Sequence, residues 1–113
     1  MLTKDQILFS ADLIEKEIEC PEWGGSIKVT GLSLAKRNNI MVGATDINSG
    51  KLDTEKMQIL TFIEAVVEPK FALADYEALK NKSATAMDRV VKEIYQISGV
   101  PLSKEENDES KKK

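Results

Sequence analysis

Apolar and polar residues alternate twice in the first third of the chain, which predicts a β-hairpin. The alternation runs over residues 14–20, where the polar positions are mostly acidic, and again over residues 26–30. A period of two is typical of strands with one buried face. Gly24 and Gly25 lie between the two segments and supply the positive φ that a tight turn requires. Two strands alone are marginal in water, so the apolar face of this hairpin needs a cover, and its edge is left unpaired.

Helical patterns flank the hairpin on both sides. Thr3 and Gln6 have the spacing of a capping box, which predicts a short opening helix that ends near Ser10. After the hairpin, Ser33 is a suitable N-cap for a second helix. Residues 46–52 are rich in turn formers, so we expect an exposed connection there.

The strongest helical pattern begins after Asp53, reaches Val67 and stops at Pro69. Its apolar positions run nearly all the way round the helix. Such a helix is either buried centrally or covered on a second side by another subunit.

Two more helices are predicted towards the C-terminus. A short one covers residues 74–79. An amphipathic one opens at Ser83 and is ended by Gly99 and Pro101, in the order that helix C-termini favour.

Length and composition agree with one α+β domain. The 113 residues, 42% of them hydrophobic, suffice for one core. We therefore expect an N-terminal β-hairpin packed on a mainly α-helical single domain over residues 1–102. Residues 103–113 are charged and nearly devoid of apolar side chains, which predicts a disordered tail.

The residue inventory argues against most catalytic and metal chemistry. The chain contains no histidine, and its one cysteine is Cys20. The usual general base, the Cys–His pair and the commonest zinc ligand are therefore missing. The densest carboxylates are Glu15, Glu17, Glu19 and Glu22. They could act as an acid–base pair only inside a pocket, and a solvated strand face is the favoured interpretation. We expect a protein without enzymatic activity, cofactor or metal.

Net charge and hydropathy bear on partners and compartment. The net charge is −3, and basic residues are interspersed with acidic ones except in the terminal Lys111, Lys112 and Lys113. Nucleic acid is a poor match for this pattern. No apolar run approaches the roughly 20 residues that cross a bilayer, and no signal peptide is recognisable. These features predict no membrane partner and a cytoplasmic location.

Candidate partner contacts are apolar residues that core packing could leave free. Trp23 either packs as core or serves as an exposed anchor. On the long helix we expect Ile59, Phe62 and Val66 to contribute to a binding surface. Glu17 and Glu19 share one side of the first strand and could form an acidic patch that helps to select a partner.

The order of these parts resembles the tail assembly chaperones of long-tailed bacteriophages and related prophages. The resemblance spans most of residues 2–100. Its most specific segments are Pro21-Glu22-Trp23-Gly24-Gly25 and Leu79-Lys80-Asn81-Lys82-Ser83 followed by Asp88-Arg89.

The resemblance implies a non-enzymatic protein in the cytoplasm of a bacterial host. Such chaperones bind the aggregation-prone tape measure protein and release it as tail tube protein assembles around it. It also implies self-association, so a homo-oligomer is expected. Many family members have a longer form made by ribosomal frameshifting. The three terminal lysines would suit a slippery codon run, although a plain solubilising tail is the favoured reading.

Two other functions remain open. A small phage-encoded DNA-binding regulator would need a basic recognition helix, whereas the last predicted helix balances Arg89 and Lys92 with Asp88 and Glu93. A structural head or tail subunit would remain in the finished particle.

Overall fold

The structure is a computed structural model that describes residues 1–99. The predicted stop at Pro101, the domain boundary at residue 102 and the tail of residues 103–113 lie outside the described residues. The helices and strands, in chain order, are α1 (Lys4–Leu8), β1 (Glu15–Cys20), β2 (Gly25–Thr30), α2 (Leu34–Ala44), α3 (Thr54–Ala65), β3 (Val66–Glu68), α4 (Tyr76–Lys80) and α5 (Ala84–Ser98).

The predicted hairpin is confirmed, and with it the α+β class. β1 and β2 pair antiparallel, from Glu15 opposite Thr30 to Cys20 opposite Gly25. A 3₁₀ turn over Pro21–Trp23 joins them, and it ends at Gly24, whose φ is +77°. This positive φ favours glycine because a Cβ would be strained there.

A third strand, β3, takes the place of the last turn that the sequence predicts for the long helix. The prediction that the helix reaches Val67 is wrong, because α3 ends at Ala65 and Val66 begins a strand. β3 pairs antiparallel with β2, with Val66 opposite Val29, so the strand order is β1-β2-β3. Two adjacent β-branched valines fit a pleated, half-buried surface better than a helix.

The inner face of the sheet is the centre of the core. Alternate positions on all three strands are buried there, namely Ile18, Cys20, Val29 and Val66. They pack with Phe62 of α3 and with Val90 and Ile94 of α5 in one cluster. The hairpin therefore obtains its cover from helices of the same chain.

Helix α3 is buried centrally, one of the two alternatives that its apolar pattern leaves open. It contacts α2, α4 and α5 and continues directly into β3. Its buried residues point in several directions and are Ile59, Thr61, Phe62, Ile63 and Ala65.

The open end of the hairpin is tied to the C-terminal end of α5. The Ser98 hydroxyl donates to the Ile94 carbonyl at 2.6 Å and accepts from the Leu32 amide at 2.9 Å. A Cβ at Gly31 would lie 3.3 Å from the Ile97 carbonyl oxygen, so this close approach favours glycine. The Gly31 amide also donates to the carbonyl of Ile14 at 2.8 Å. Residues 1–14 leave the body at this point.

Candidate partner-binding surfaces

Residues 1–14 form an arm with exposed apolar side chains. We call this segment the N-terminal arm. None of its residues is buried, and the exposed fraction of Phe9 is 84%. Its large exposed hydrophobic residues are Met1, Leu2, Ile7, Leu8, Phe9, Leu13 and Ile14.

Local hydrogen bonds account for the short helix α1 within the arm. The Thr3 hydroxyl accepts from the Gln6 amide at 3.2 Å, and the Gln6 side chain accepts from the Thr3 amide at 2.9 Å. The predicted capping box is thus confirmed. An isolated helix of five residues is marginal in water, because nucleation is unfavourable and little burial offsets it. α1 is therefore helical but has little stability of its own.

A second apolar surface is a groove at the turn end of the hairpin. It encloses about 470 Å³. Its walls are almost entirely apolar, with Asp75 and Lys82 among the polar residues that line it. The principal apolar lining residues are Trp23, Ile27, Phe62, Phe71 and Leu79. We call it the apolar groove.

Trp23 packs on the core and also remains partly accessible. Its ring packs edge-to-face on Phe62, with ring centroids 6.1 Å apart. The ring centroids of Phe62 and Phe71 are 5.3 Å apart. The Trp23 residue is only half-buried and lines the apolar groove. It is therefore both a member of the core edge and part of an accessible surface.

The expectation that Ile59, Phe62 and Val66 lie on a surface left free by core packing is wrong. Their exposed fractions are 3%, 1% and 0%. The helices around α3 cover Ile59 and Phe62, and the pairing of β3 with β2 turns Val66 into the core. Of the three, Phe62 alone reaches the apolar groove, as part of its floor.

Glu17 and Glu19 lie where the sequence places them, on the solvent face of β1. Both are exposed. The Ser26 hydroxyl donates to Glu17 at 2.6 Å. Lys28 lies opposite Glu17 on β2, with its ammonium 3.9 Å from Glu15 and 3.8 Å from Glu68. The face thus carries a surplus of negative charge.

Glu22, the fourth glutamate of the predicted cluster, is engaged in a bidentate ion pair. Its two carboxylate oxygens accept from the two terminal nitrogens of Arg89 at 2.7 Å each. These hydrogen bonds lower the pKa of the Glu22 carboxyl from 4.5 to about 2. The pair links the hairpin turn to α5 and occupies the guanidinium of Arg89. Close by, Lys16 pairs with Glu93.

Cys20 is fully buried on the inner face of β1. Burial raises the pKa of its thiol and outweighs the opposite effect of Arg89. The reactive thiolate is therefore disfavoured. Among residues 1–99, no three or more Asp, Glu or Cys side chains are grouped so that they could hold a metal ion.

Comparison with models of known protein families, with curated proteins and with solved structures gives no match for this chain. Within the part of the chain that the structure describes, no helix has both the length and the apolarity that crossing a membrane requires.

The arm is the surface that sequence reasoning does not anticipate. Ile7 and Leu8 have the spacing of an ordinary helix that packs on a core, and α1 does form. What the pattern lacks is information on the direction in which the chain leaves the hairpin at Ile14. The bond from the Gly31 amide continues the hairpin ladder to Ile14, and the residues before Ile14 pack on no part of the body.

Proposed function

We propose that this protein is a tail assembly chaperone of a long-tailed bacteriophage or prophage. It binds the tape measure protein in the cytoplasm of the host, keeps it soluble and assists assembly of the tail tube, without catalysing a reaction. The choice of this client rests on the sequence resemblance over residues 2–100.

The observation that carries the proposal is the exposed apolar arm on a body whose core is complete without it. Soluble monomers rarely expose a contiguous set of large apolar residues unless it serves in binding. A long helical client presents apolar stripes, against which the exposed apolar side chains of the arm can pack.

The weak local stability of the arm suits a chaperone that must release its client. Because α1 has only five residues, binding would have to order the arm more firmly, and this ordering opposes association. The resulting affinity is moderate, which favours transient coverage of the client.

The apolar groove supplies a second contact of fixed shape. Its aromatic walls, formed by Trp23, Phe62 and Phe71, are held by packing on the core. A rigid pocket of this kind accepts a bulky apolar side chain with little ordering of the protein. The N-terminal arm and the apolar groove are thus the proposed binding surfaces, in place of the one that the sequence predicts on α3.

The test is co-expression of the full chain with the tape measure protein of the same phage, followed by affinity capture and a solubility assay. The informative variant is Leu8→Ser combined with Phe9→Ser, which removes apolar surface from the arm. Ile47→Ser is the matched control, since Ile47 is 93% exposed but lies in the turn between α2 and α3.

We expect the wild type and the control to keep the tape measure protein soluble and bound, and the arm variant to lose most of both. Equal behaviour of the arm variant and the control would remove the arm from the mechanism. If the folded wild type captures no tape measure protein, the proposal fails. Mass spectrometry of virions then tests the structural-subunit alternative, and a salt-dependent gel shift tests the DNA-binding one.

A further inference from the structure

The sheet has one long edge with which no described strand pairs. β2 is the middle strand, and β1 pairs with it along one side only. Within residues 1–99, no backbone hydrogen bond reaches the other side of β1. The opposite edge of the sheet, β3, is only three residues long and is followed by Pro69, which cannot donate to a ladder. β1 is therefore the edge at which a further strand could pair through its backbone.

The register identifies the backbone groups that point outwards from this edge. The Gly31 amide donates to the Ile14 carbonyl, so these two residues form a hydrogen-bonded pair. In an antiparallel ladder such pairs alternate, which directs residues 16, 18 and 20 towards β2. The amides and carbonyls of Glu15, Glu17 and Glu19 consequently face the free edge.

The same three residues carry carboxylates on the solvent face of the sheet. Across the ladder from them lie Thr30, Lys28 and Ser26, so β2 supplies one cation. A strand added at the edge would place one side chain directly beside each of the three carboxylates, about 5 Å away.

A second copy of this chain is a poor occupant of the edge. Antiparallel pairing about a two-fold axis keeps the solvent faces of two β1 strands together. Odd positions then face odd positions, and Glu15, Glu17 and Glu19 of one copy meet glutamates of the other. Like charges directly opposite each other destabilise a sheet.

We propose that the edge of β1 binds an extended segment of another protein in which lysine or arginine occupies every second position. Backbone hydrogen bonds to Glu15, Glu17 and Glu19 hold the segment, and its basic side chains pair with the three carboxylates. This is strand addition at an exposed edge, with charge setting the choice of partner.

The intervening side chains of the segment are uncharged. They would lie on the inner side of the sheet, beside the flank of α5. Glu93 and Arg89 on that flank are paired, with Lys16 and with Glu22 respectively. The site is distinct from the N-terminal arm and the apolar groove.

The experiment is amide hydrogen exchange by NMR on the full chain, with a short synthetic peptide in which lysine alternates with threonine. One control peptide has glutamate in place of lysine. A second keeps the lysines but carries a methyl group on each lysine backbone nitrogen, which removes the N–H donors that would face β1, blocks close approach of the strand and keeps the charge.

We expect the lysine peptide to slow exchange at Glu15, Glu17 and Glu19 and to bind about ten-fold more tightly than the glutamate peptide. Binding weakens as salt is added. In the variant Glu15→Lys, Glu17→Lys, Glu19→Lys the preference between the two peptides reverses. The variant Leu8→Ser with Phe9→Ser binds the lysine peptide as the wild type does, which separates this site from client capture.

Three results would overturn the proposal. The first is no protection at the edge amides at low salt. The second is equal binding of the methylated peptide, because the surface then acts through charge alone. The third is protection that grows with protein concentration in the absence of peptide, since a second copy then occupies the edge.

Discussion

Thr61 and Tyr95 form a hydroxyl pair between the two helices that carry most of the core. Thr61 is fully buried in α3, and its hydroxyl donates to the Met57 carbonyl at 2.7 Å. The Tyr95 hydroxyl oxygen lies 3.1 Å from the Thr61 hydroxyl oxygen. Because the single threonine proton is already used, Tyr95 is the donor in this second bond. Burial raises the pKa of Tyr95, in keeping with a protonated phenol at neutral pH.

Replacing Thr61 with valine keeps the shape of the side chain and removes the acceptor of the Tyr95 proton. We expect a loss of about 1–2 kcal/mol in the free energy of unfolding, because the part-buried Tyr95 hydroxyl then faces a methyl group and has no acceptor. Urea unfolding of Thr61→Val, Tyr95→Phe and the double variant measures the coupling. The double variant should recover part of the loss. Strict additivity of the two single changes would contradict the pairing.

The ion pair between Glu22 and Arg89 predicts a pH dependence of stability. The pKa of Glu22 is about 2 in the folded protein and 4.5 as its ordinary value. A depressed pKa stabilises the fold above pH 4.5, and this contribution is lost as the pH falls towards 2. The contribution is small, because both side chains remain about one-third exposed.

We therefore expect Glu22→Gln to flatten part of the decline in the free energy of unfolding between pH 5 and pH 2. Urea unfolding at several pH values measures it. The control is Glu68→Gln, which removes a carboxylate that is 75% exposed and 3.8 Å from its lysine. Identical pH profiles for Glu22→Gln and the wild type would show that the pair does not persist in solution.

At the scale of elements, sequence patterns identify the hairpin and the helix starts but misplace one helix end. Period two and the glycine turn define β1 and β2 locally. Val66 and Val67 are different, because their apolar side chains suit a last helical turn as well as a strand. The choice is made by β2, whose backbone groups at Val29 pair with Val66. Val29 and Val66 are 37 positions apart (66 − 29), so a local sequence pattern contains no information on their pairing.

Two helices with the same type of cap differ in whether the core holds them. The Ser83 hydroxyl accepts from the Ala86 amide and opens α5, which buries Val90 and Ile94. Thr3 opens α1, which buries nothing. Ser83→Ala should lower the free energy of unfolding by about 1 kcal/mol, whereas Thr3→Ala should leave it unchanged.

Chemical denaturation of the two variants followed by circular dichroism gives both values. A loss of the same size in Thr3→Ala would mean that α1 is part of the cooperative unit.

At the scale of the whole molecule, the large apolar residues include a set that is buried in the core and a set in the N-terminal arm that stays exposed. The sequence predicts how many apolar residues there are, but not this division. Ile59 and Phe62 look available because α3 is apolar all round, yet three helices surround it. Leu8 and Phe9 are equally apolar and are exposed. Exposure depends on the assembled layers, so it follows only after the topology is known.

Removing apolar side chains should therefore have little effect on stability in the N-terminal arm and a large effect in the core. Leu8→Ser with Phe9→Ser should change the free energy of unfolding by less than about 0.5 kcal/mol. Phe62→Ala, which leaves a cavity beside Trp23, should cost about 3–5 kcal/mol. Thermal and urea unfolding compare them. A loss above about 2 kcal/mol in the arm variant would mean that the arm packs on the body.

The tie between Ser98 and Leu32 has a consequence for the order of events during synthesis. Chains emerge from the ribosome N-terminus first, at roughly 5–20 residues per second. The hairpin is complete at Thr30, but α5, one of the helices that cover its inner face, is not finished until Ser98. While residues 31–98 are added, the nascent chain therefore lacks part of the cover of its hairpin as well as exposing its arm. A chain that stops before α5 lacks Val90 and Ile94, which pack on the inner face of the sheet, and we expect it to aggregate.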